Sequence, residues 1–236
     1  MRSASTFPTN LRRLADAAIA VLLAPQCAAC EQPLERPTQG AVCDACWIAA
    51  TPLTRTGRDS FPPFIGLAAA VGPYDGRLRD IIHALKYDRR PTIARRLAWR
   101  MSAAGVDVLA GAHFLVPVPL HRSRQRQRGF NQARELARYL GVPVCDTLVR
   151  TRRTDAQADL PAARRRANVR GAFACRGLAR RRTDHADTHD IRGKVLVLID
   201  DVATTGATLN ACAEVLLDAG AAEVRALVAA RARLRP

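Results

Sequence analysis

The segment at residues 195–209, VLVLIDDVATTGATL, restricts the fold of this chain more than any other. Its first five residues are apolar without interruption. A short continuous run of that kind suits a strand buried on both faces, as in a parallel sheet covered by helices. Two carboxylates, Asp200 and Asp201, follow at once, and then come small and hydroxylated residues. The next stretch, over 208–219, places Leu209, Cys212, Val215, Leu216 and Ala219 on one helical face and stops at Gly220. Open α/β sheets bind ligands at the carboxyl ends of their strands, so the two aspartates emerge where a ligand belongs.

The rest of the chain repeats this alternation. Residues 66–74, GLAAAVGPY, have the length of a strand and end in a turn at Asp75 and Gly76. Leu78, Ile81, Ile82 and Leu85 then share a helical face, and Leu97 and Met101 do the same after Pro91 opens another helix. From His113 the order is strand (HFLVPVPL), basic loop, helix (NQARELARYL) and strand (VPVCDTLVR), with a last strand over 223–230. The expected fold class is α/β, a mostly parallel sheet flanked by helices. Residues 176–190 are polar and aperiodic, and read as a mobile insertion.

Ahead of this domain, taken as 66–236, three shorter pieces are expected. Residues 1–24 read as an amphipathic helix with Leu11, Leu14, Ala18 and Leu22 at helical spacing, ended by Pro25. The competing reading is a short secretory signal after Arg12 and Arg13, but Asp16 interrupts the apolar run and no cleavage site is clear. Residues 25–51 form a cysteine module, and the Pro- and Gly-punctuated stretch 52–65 a linker. No apolar run approaches the roughly 18 residues of a transmembrane helix, so no span is expected.

In the module, Cys27-x2-Cys30 and Cys43-x2-Cys46 are separated by twelve residues. Two such pairs can each hold one edge of a tetrahedral metal site. Four thiolates select zinc or iron–sulfur over magnesium or calcium, and a closed set leaves no position for a catalytic water, which points to structural zinc. Two disulfides in an exported protein, or a redox C-x-x-C, are the competing readings.

Paired carboxylates at a strand end can accept hydrogen bonds from adjacent sugar hydroxyls and attract Mg2+. The stretch Ala203, Thr204, Thr205, Gly206, Ala207 and Thr208 bridges to a helix N-terminus, where backbone N–H groups, the helix dipole and threonine hydroxyls cradle a phosphate. A turn followed by a helix cap would explain one Asp or one Thr, but not the whole order. The loop after the strand at 115–120 carries Arg122, Arg124, Arg126 and Arg128, and guanidinium groups pair with phosphate oxygens. Such a loop can equally be a solvated basic surface. A formal charge of +16 from 37 Lys and Arg favours an anionic partner.

The 195–209 segment resembles the PRPP motif of type I phosphoribosyltransferases, PRPP being 5-phosphoribosyl-1-pyrophosphate. That resemblance puts Asp200 and Asp201 on the ribose hydroxyls, Ala203 to Thr208 around the 5-phosphate, and Mg2+ with the ligand. In the same family a flexible loop closes over PRPP at the place of residues 150–172, making Gln157, Arg164 and Arg166 contacts beside His121, Arg122 and Arg128 of the basic loop. The strings YDGRLRDIIHALKYD, RGFNQA, Q-x-x-L-x-x-x-x-R-x-x-N-V and IDDVATTGAT, with the four cysteines, narrow the resemblance to the ComF family, competence-associated proteins that include the GntX group. It implies a cytoplasmic protein with a zinc module and a phosphoribosyltransferase domain. It also implies a role in handling incoming single-stranded DNA, beside other DNA-uptake proteins.

Two activities fit these expectations. In one, a Mg2+-dependent phosphoribosyltransferase passes phosphoribose from PRPP to a nucleobase or amine, with a hood from residues 66–112 over a ligand-binding core at 113–236. In the other, PRPP or a nucleotide regulates DNA engagement, with Arg124 and Arg126 along the phosphates and Phe130, Tyr87 and Trp47 as candidates to stack on bases.

Overall fold

The computed structural model describes residues 9–50, 62–87, 90, 92–152, 171–176 and 190–232. Four strands form an all-parallel sheet: β1 (Ala68–Pro73), β2 (Phe114–Pro117), β5 (Val195–Ala203) and β6 (Glu223–Arg231), in the order β1-β6-β5-β2. Register links Val116 to Leu198, Leu198 to Ala226 and Ala226 to Ala68. Because side chains alternate along a strand, that row belongs to one face and the neighbouring row, with Ile199, Leu227 and Ala69, to the other. Both rows are covered, so the apolar runs of β5 and β6 are continuous and not alternating.

On the face of Val197 and Ile199 lie α3 (Gly76–Tyr87), α4 (Thr92–Ala104) and α7 (Gln132–Ala137). Leu78, Ile81, Ile82 and Leu85 of α3 and Leu97 and Met101 of α4 are buried there, as their spacing predicts. The opposite face, that of Leu196 and Leu198, is covered by α8 (Ala207–Asp218) through Leu209, Cys212, Ala213 and Leu216. The short helix α5 (Val106–Leu109) follows α4.

Three elements differ from expectation. The basic stretch after β2 is a helix, α6 (Arg122–Arg128), not a loop. His121 caps its N-terminus by accepting from the Ser123 N–H, and Gly129, in the left-handed region at φ 81°, ends it. The stretch VPVCDTLVR is not one parallel strand. Val144 makes a single parallel bridge to Leu115, and the chain then turns away into β3 (Leu148–Arg150), antiparallel to β4 (Phe173–Cys175). Cys145, Leu148, Phe173 and Cys175 carry this ribbon on the α8 side of the sheet. Finally, the N-terminal helix α1 (Thr9–Leu23) leaves Leu11, Leu14, Val21, Leu22 and Leu23 exposed. It docks instead through buried Asp16, which accepts from the Thr38 N–H at 2.8 Å.

The cysteine module shares the main core. Cys27, Leu34, Val42, Cys46, Trp47 and Ala50 pack in one cluster with α3, α4 and the sheet. Polar clamps from both helices hold it. Arg77 of α3 donates to the Ala29 carbonyl at 2.8 Å, Arg100 of α4 to the Ala50 carbonyl at 2.8 Å and to that of Trp47, and Arg96 pairs with Asp44 at 2.7 Å. Arg96 and Arg100 also lie over the Trp47 ring, which α2 (Asp44–Ala49) carries. The segment 66–112, expected as a hood, supplies the edge strand β1 of this sheet and, in α3 and α4, two of the helices on one of its faces.

Candidate functional site

The chain after β5 leaves toward one face, into α8, and the chain after β2 leads to the other, into α6 and α7. Neighbouring parallel strands whose connections part in this way open a crevice at their carboxyl ends. Asp200 and Asp201 lie there, still within β5, which runs on to Ala203. Asn131 braces the other wall. Its amide donates to the Val118 carbonyl at 3.0 Å and its oxygen accepts from the Ala133 N–H at 3.0 Å, tying the end of β2 to the start of α7.

Strand alternation sends the two aspartates to opposite faces. Asp201 continues the row of Val197 and Ile199, toward α3, and there Lys86 Nζ meets its Oδ1 at 2.9 Å. Both side chains are nearly enclosed, at 13% and 12% exposure. Burial works against the Lys86 charge, but the charge and hydrogen bond of Asp201, joined by Tyr74 and Asp200, together hold the ammonium above its usual range. Asp200 continues the row of Leu196 and Leu198, toward α8 and β3. Burial and the neighbouring Asp201 charge push its carboxyl up to about 7, against the pull of Lys86, Arg150 and the Asp201 N–H that donates to its Oδ1 at 2.8 Å.

Ala203 and Ala207 are buried at the two ends of the loop between β5 and α8, while Thr204, Thr205 and Thr208 are half-exposed. Gly206, at φ 75°, sits in the left-handed region directly before α8, and the Thr205 hydroxyl accepts from the Ala207 N–H at 3.4 Å. Pro62 packs against this glycine so closely that a Cβ there would lie 2.7 Å from Pro62 Cγ. Backbone, hydroxyls and a helix N-terminus, the groups from which anion sites are commonly built, are thereby brought together.

Helical spacing divides the arginines of α6. Arg122 and Arg126, four apart, are exposed, whereas Arg124 and Arg128 are half-buried on the inner side. Arg124 acts electrostatically on Arg150 of β3, whose charge is disfavoured first by burial and then by that neighbour, with Asp200 opposing both. Arg128 turns to α3 and α7, donating to Tyr87 Oη at 3.3 Å and Gln132 Oε1 at 3.1 Å. His121 is engaged in capping, and Phe130 is half-buried against the core. Gln157, Arg164 and Arg166 lie outside the described residues.

Lys86 and Arg150 are the site residues that sequence reasoning did not assign. Lys86 carried a signal: only it and Lys194 are lysine among 37 basic residues.

The four cysteine sulfurs lie within 4.8 Å of one another, with Cys27 and Cys46 at 3.9 Å and Cys30 and Cys43 at 3.8 Å. A tetrahedral site with metal–sulfur bonds of about 2.3 Å has edges of about 3.8 Å, so the cluster can hold a metal ion. Burial raises the Cys27 thiol, but N–H groups of Cys43 and Ala29, at 3.3 and 3.4 Å from its sulfur, help bring it down to about 7.

Residues 126–235 match the family model described as Phosphoribosyl transferase domain, which covers β5, its two aspartates and the loop into α8. Over a longer span the chain is 33% identical to Competence protein F of Haemophilus influenzae, across 69% of this chain and 71% of that protein. It is 32% identical to the DNA utilization protein YhgH of Salmonella typhimurium, across 84% and 87%. With Competence protein ComFC of Bacillus subtilis the identity is 29%, across 77% and 68%. The chain belongs to the ComF family.

Proposed function

We propose that the chain binds PRPP, accompanied by Mg2+, in the crevice at the ends of β5 and β2, and that it serves the handling of single-stranded DNA in DNA uptake. The observation that carries the ligand reading is the sequence of groups at the end of β5. Two carboxylates in a buried strand lead through a left-handed glycine into a helix N-terminus. In this reading Asp200 and Asp201 accept hydrogen bonds from ribose hydroxyls, and Ala203 to Thr208 receive the 5-phosphate. Arg124 and Arg150 face the pyrophosphate, with His121, Arg122, Arg128, Gln157, Arg164 and Arg166 as further candidates, and bidentate guanidinium contacts suit those oxygens. Bound Mg2+ would supply charge neutralisation on the phosphate oxygens. The module's metal is zinc in a structural role, since four thiolates in a closed set leave no position for substrate. The names of the relatives, competence and DNA utilization, support the DNA role, as does the charge of +16.

Calorimetric titration with PRPP in the presence of Mg2+ tests the ligand. Saturable binding that Asp200→Asn with Asp201→Asn abolishes is the expected result; no binding by the unaltered chain overturns it. Release of pyrophosphate, screened across nucleobases, amines and DNA, decides between transfer of the phosphoribosyl group and binding alone. Transfer requires turnover that the same double variant removes.

A further inference from the structure

The last turn of α3 faces two ways. Lys86 points inward to Asp201, whereas the next residue, Tyr87, stands 54% exposed and belongs to a tier of planar groups. The Arg128 guanidinium lies over its ring at 5.1 Å while donating to its hydroxyl at 3.3 Å. The exposed His83 ring, one helical turn earlier, meets it at 4.5 Å between centroids and 37° between planes. Arg122 and Arg126 extend from the outer side of α6, and neither they nor Arg128 form an ion pair with a carboxylate among the described residues. Of the aromatics considered for base stacking, Trp47 is buried and Phe130 packs on the core, so Tyr87 is the one that stands open.

We propose that His83, Tyr87 and Arg128 form a stacking platform for a nucleobase of single-stranded nucleic acid, with Arg122 and Arg126 along its phosphates. This deepens the reading given under the proposed function and rests on its DNA component. Every base has a face that stacks on an aromatic ring or a guanidinium plane, and arginines one turn apart follow a phosphate backbone without reading sequence. Ionic contact gives a salt dependence, whereas stacking contributes affinity that salt leaves in place.

The test is anisotropy of a labelled twenty-residue oligothymidylate with the full chain across a salt series, alongside calorimetry with thymidine monophosphate. Tyr87→Ala is expected to weaken oligonucleotide binding by about tenfold or more at every salt concentration, the scale of one lost base–aromatic stack. Tyr87→Phe, which keeps the ring, should stay within about threefold of the unaltered chain on the same basis. Arg122→Ala with Arg126→Ala should flatten the slope of log affinity against log salt by roughly 1.4, about 0.7 for each lost phosphate contact. If the oligonucleotide binds and Tyr87→Ala changes nothing, the platform is wrong while the DNA reading stands. If only the mononucleotide binds and Tyr87→Ala weakens it, the base site stands and the DNA reading falls. Binding of neither overturns both, and the PRPP titration remains a separate measurement.

Discussion

Lys86 Nζ and Asp201 Oδ1 stand 2.9 Å apart in a nearly enclosed ion pair that joins the last turn of α3 to the carboxyl end of β5. The pair links the helical layer to the strand that leads into the loop of Thr204, Thr205 and Gly206. Removing one partner leaves the other charge buried, so Lys86→Met should destabilise the fold by about 3 kcal/mol. Adding Asp201→Asn should recover part of that loss. Urea unfolding of the single and double variants measures the coupling, and additive effects would show that the pair contributes nothing beyond its separate residues.

Asp200 gives the protein a pH dependence of definite sign. Its carboxyl ordinarily titrates near 3.8 and is pushed up to about 7 in the fold, so between those values the native state binds more protons than the unfolded chain. Stability from this residue therefore falls as pH rises from about 4 to about 7. Asp200→Asn should leave the melting temperature near pH 4 almost unchanged and raise stability at pH 8 by on the order of 4 kcal/mol. Under the proposed function, PRPP binding should show the opposite dependence in the same group, since hydrogen-bond acceptance by the ionised carboxylate would strengthen it as pH climbs through 7. Calorimetry at pH 6 and pH 8 checks this.

Trp47 reports on the cysteine module. It is buried at 2% exposure within the common core, while Trp99, the other tryptophan, is 69% exposed. In a Trp99→Phe background, Cys46→Ser, or chelation of a metal that the four cysteines would hold under the proposed function, should shift the remaining fluorescence to the red. It should also lower the melting temperature of the whole chain in one transition, because Cys27, Leu34, Val42 and Trp47 pack in the cluster of α3 and α4. A separate early transition, with the rest of the domain unaffected, would contradict the shared core.

Gly206 is constrained twice. Its φ of 75° disfavours any side chain, and Pro62 fills the space a Cβ needs. Gly206→Ala should cost about 1–2 kcal/mol from backbone strain alone. PRPP affinity should fall as the loop shifts, and Pro62→Ala should relieve only the contact, not the strain. Melting curves and PRPP titration of the single and double variants separate the two contributions.

The sequence by itself determined the elements whose periodicity matches their burial. The apolar run of β5, the faces of α3 and α8, the C-x2-C pairs and the order of Asp200 to Thr208 are all local patterns, readable because strand and helix repeats are short. Tertiary structure decided what depends on who packs against whom. The basic stretch became a helix once His121 and Gly129 capped it, and only that helix separates Arg124 and Arg128 from Arg122 and Arg126. The stretch VPVCDTLVR left the sheet after one bridge because β4 supplied an antiparallel partner. Alternation along β5 turned two adjacent aspartates toward different layers. Lys86, 115 positions before Asp201 in the chain, became its counterion only through the packing of α3 on the sheet. No local pattern carries a contact of that separation, because the energy that makes it is the burial of the apolar face between them.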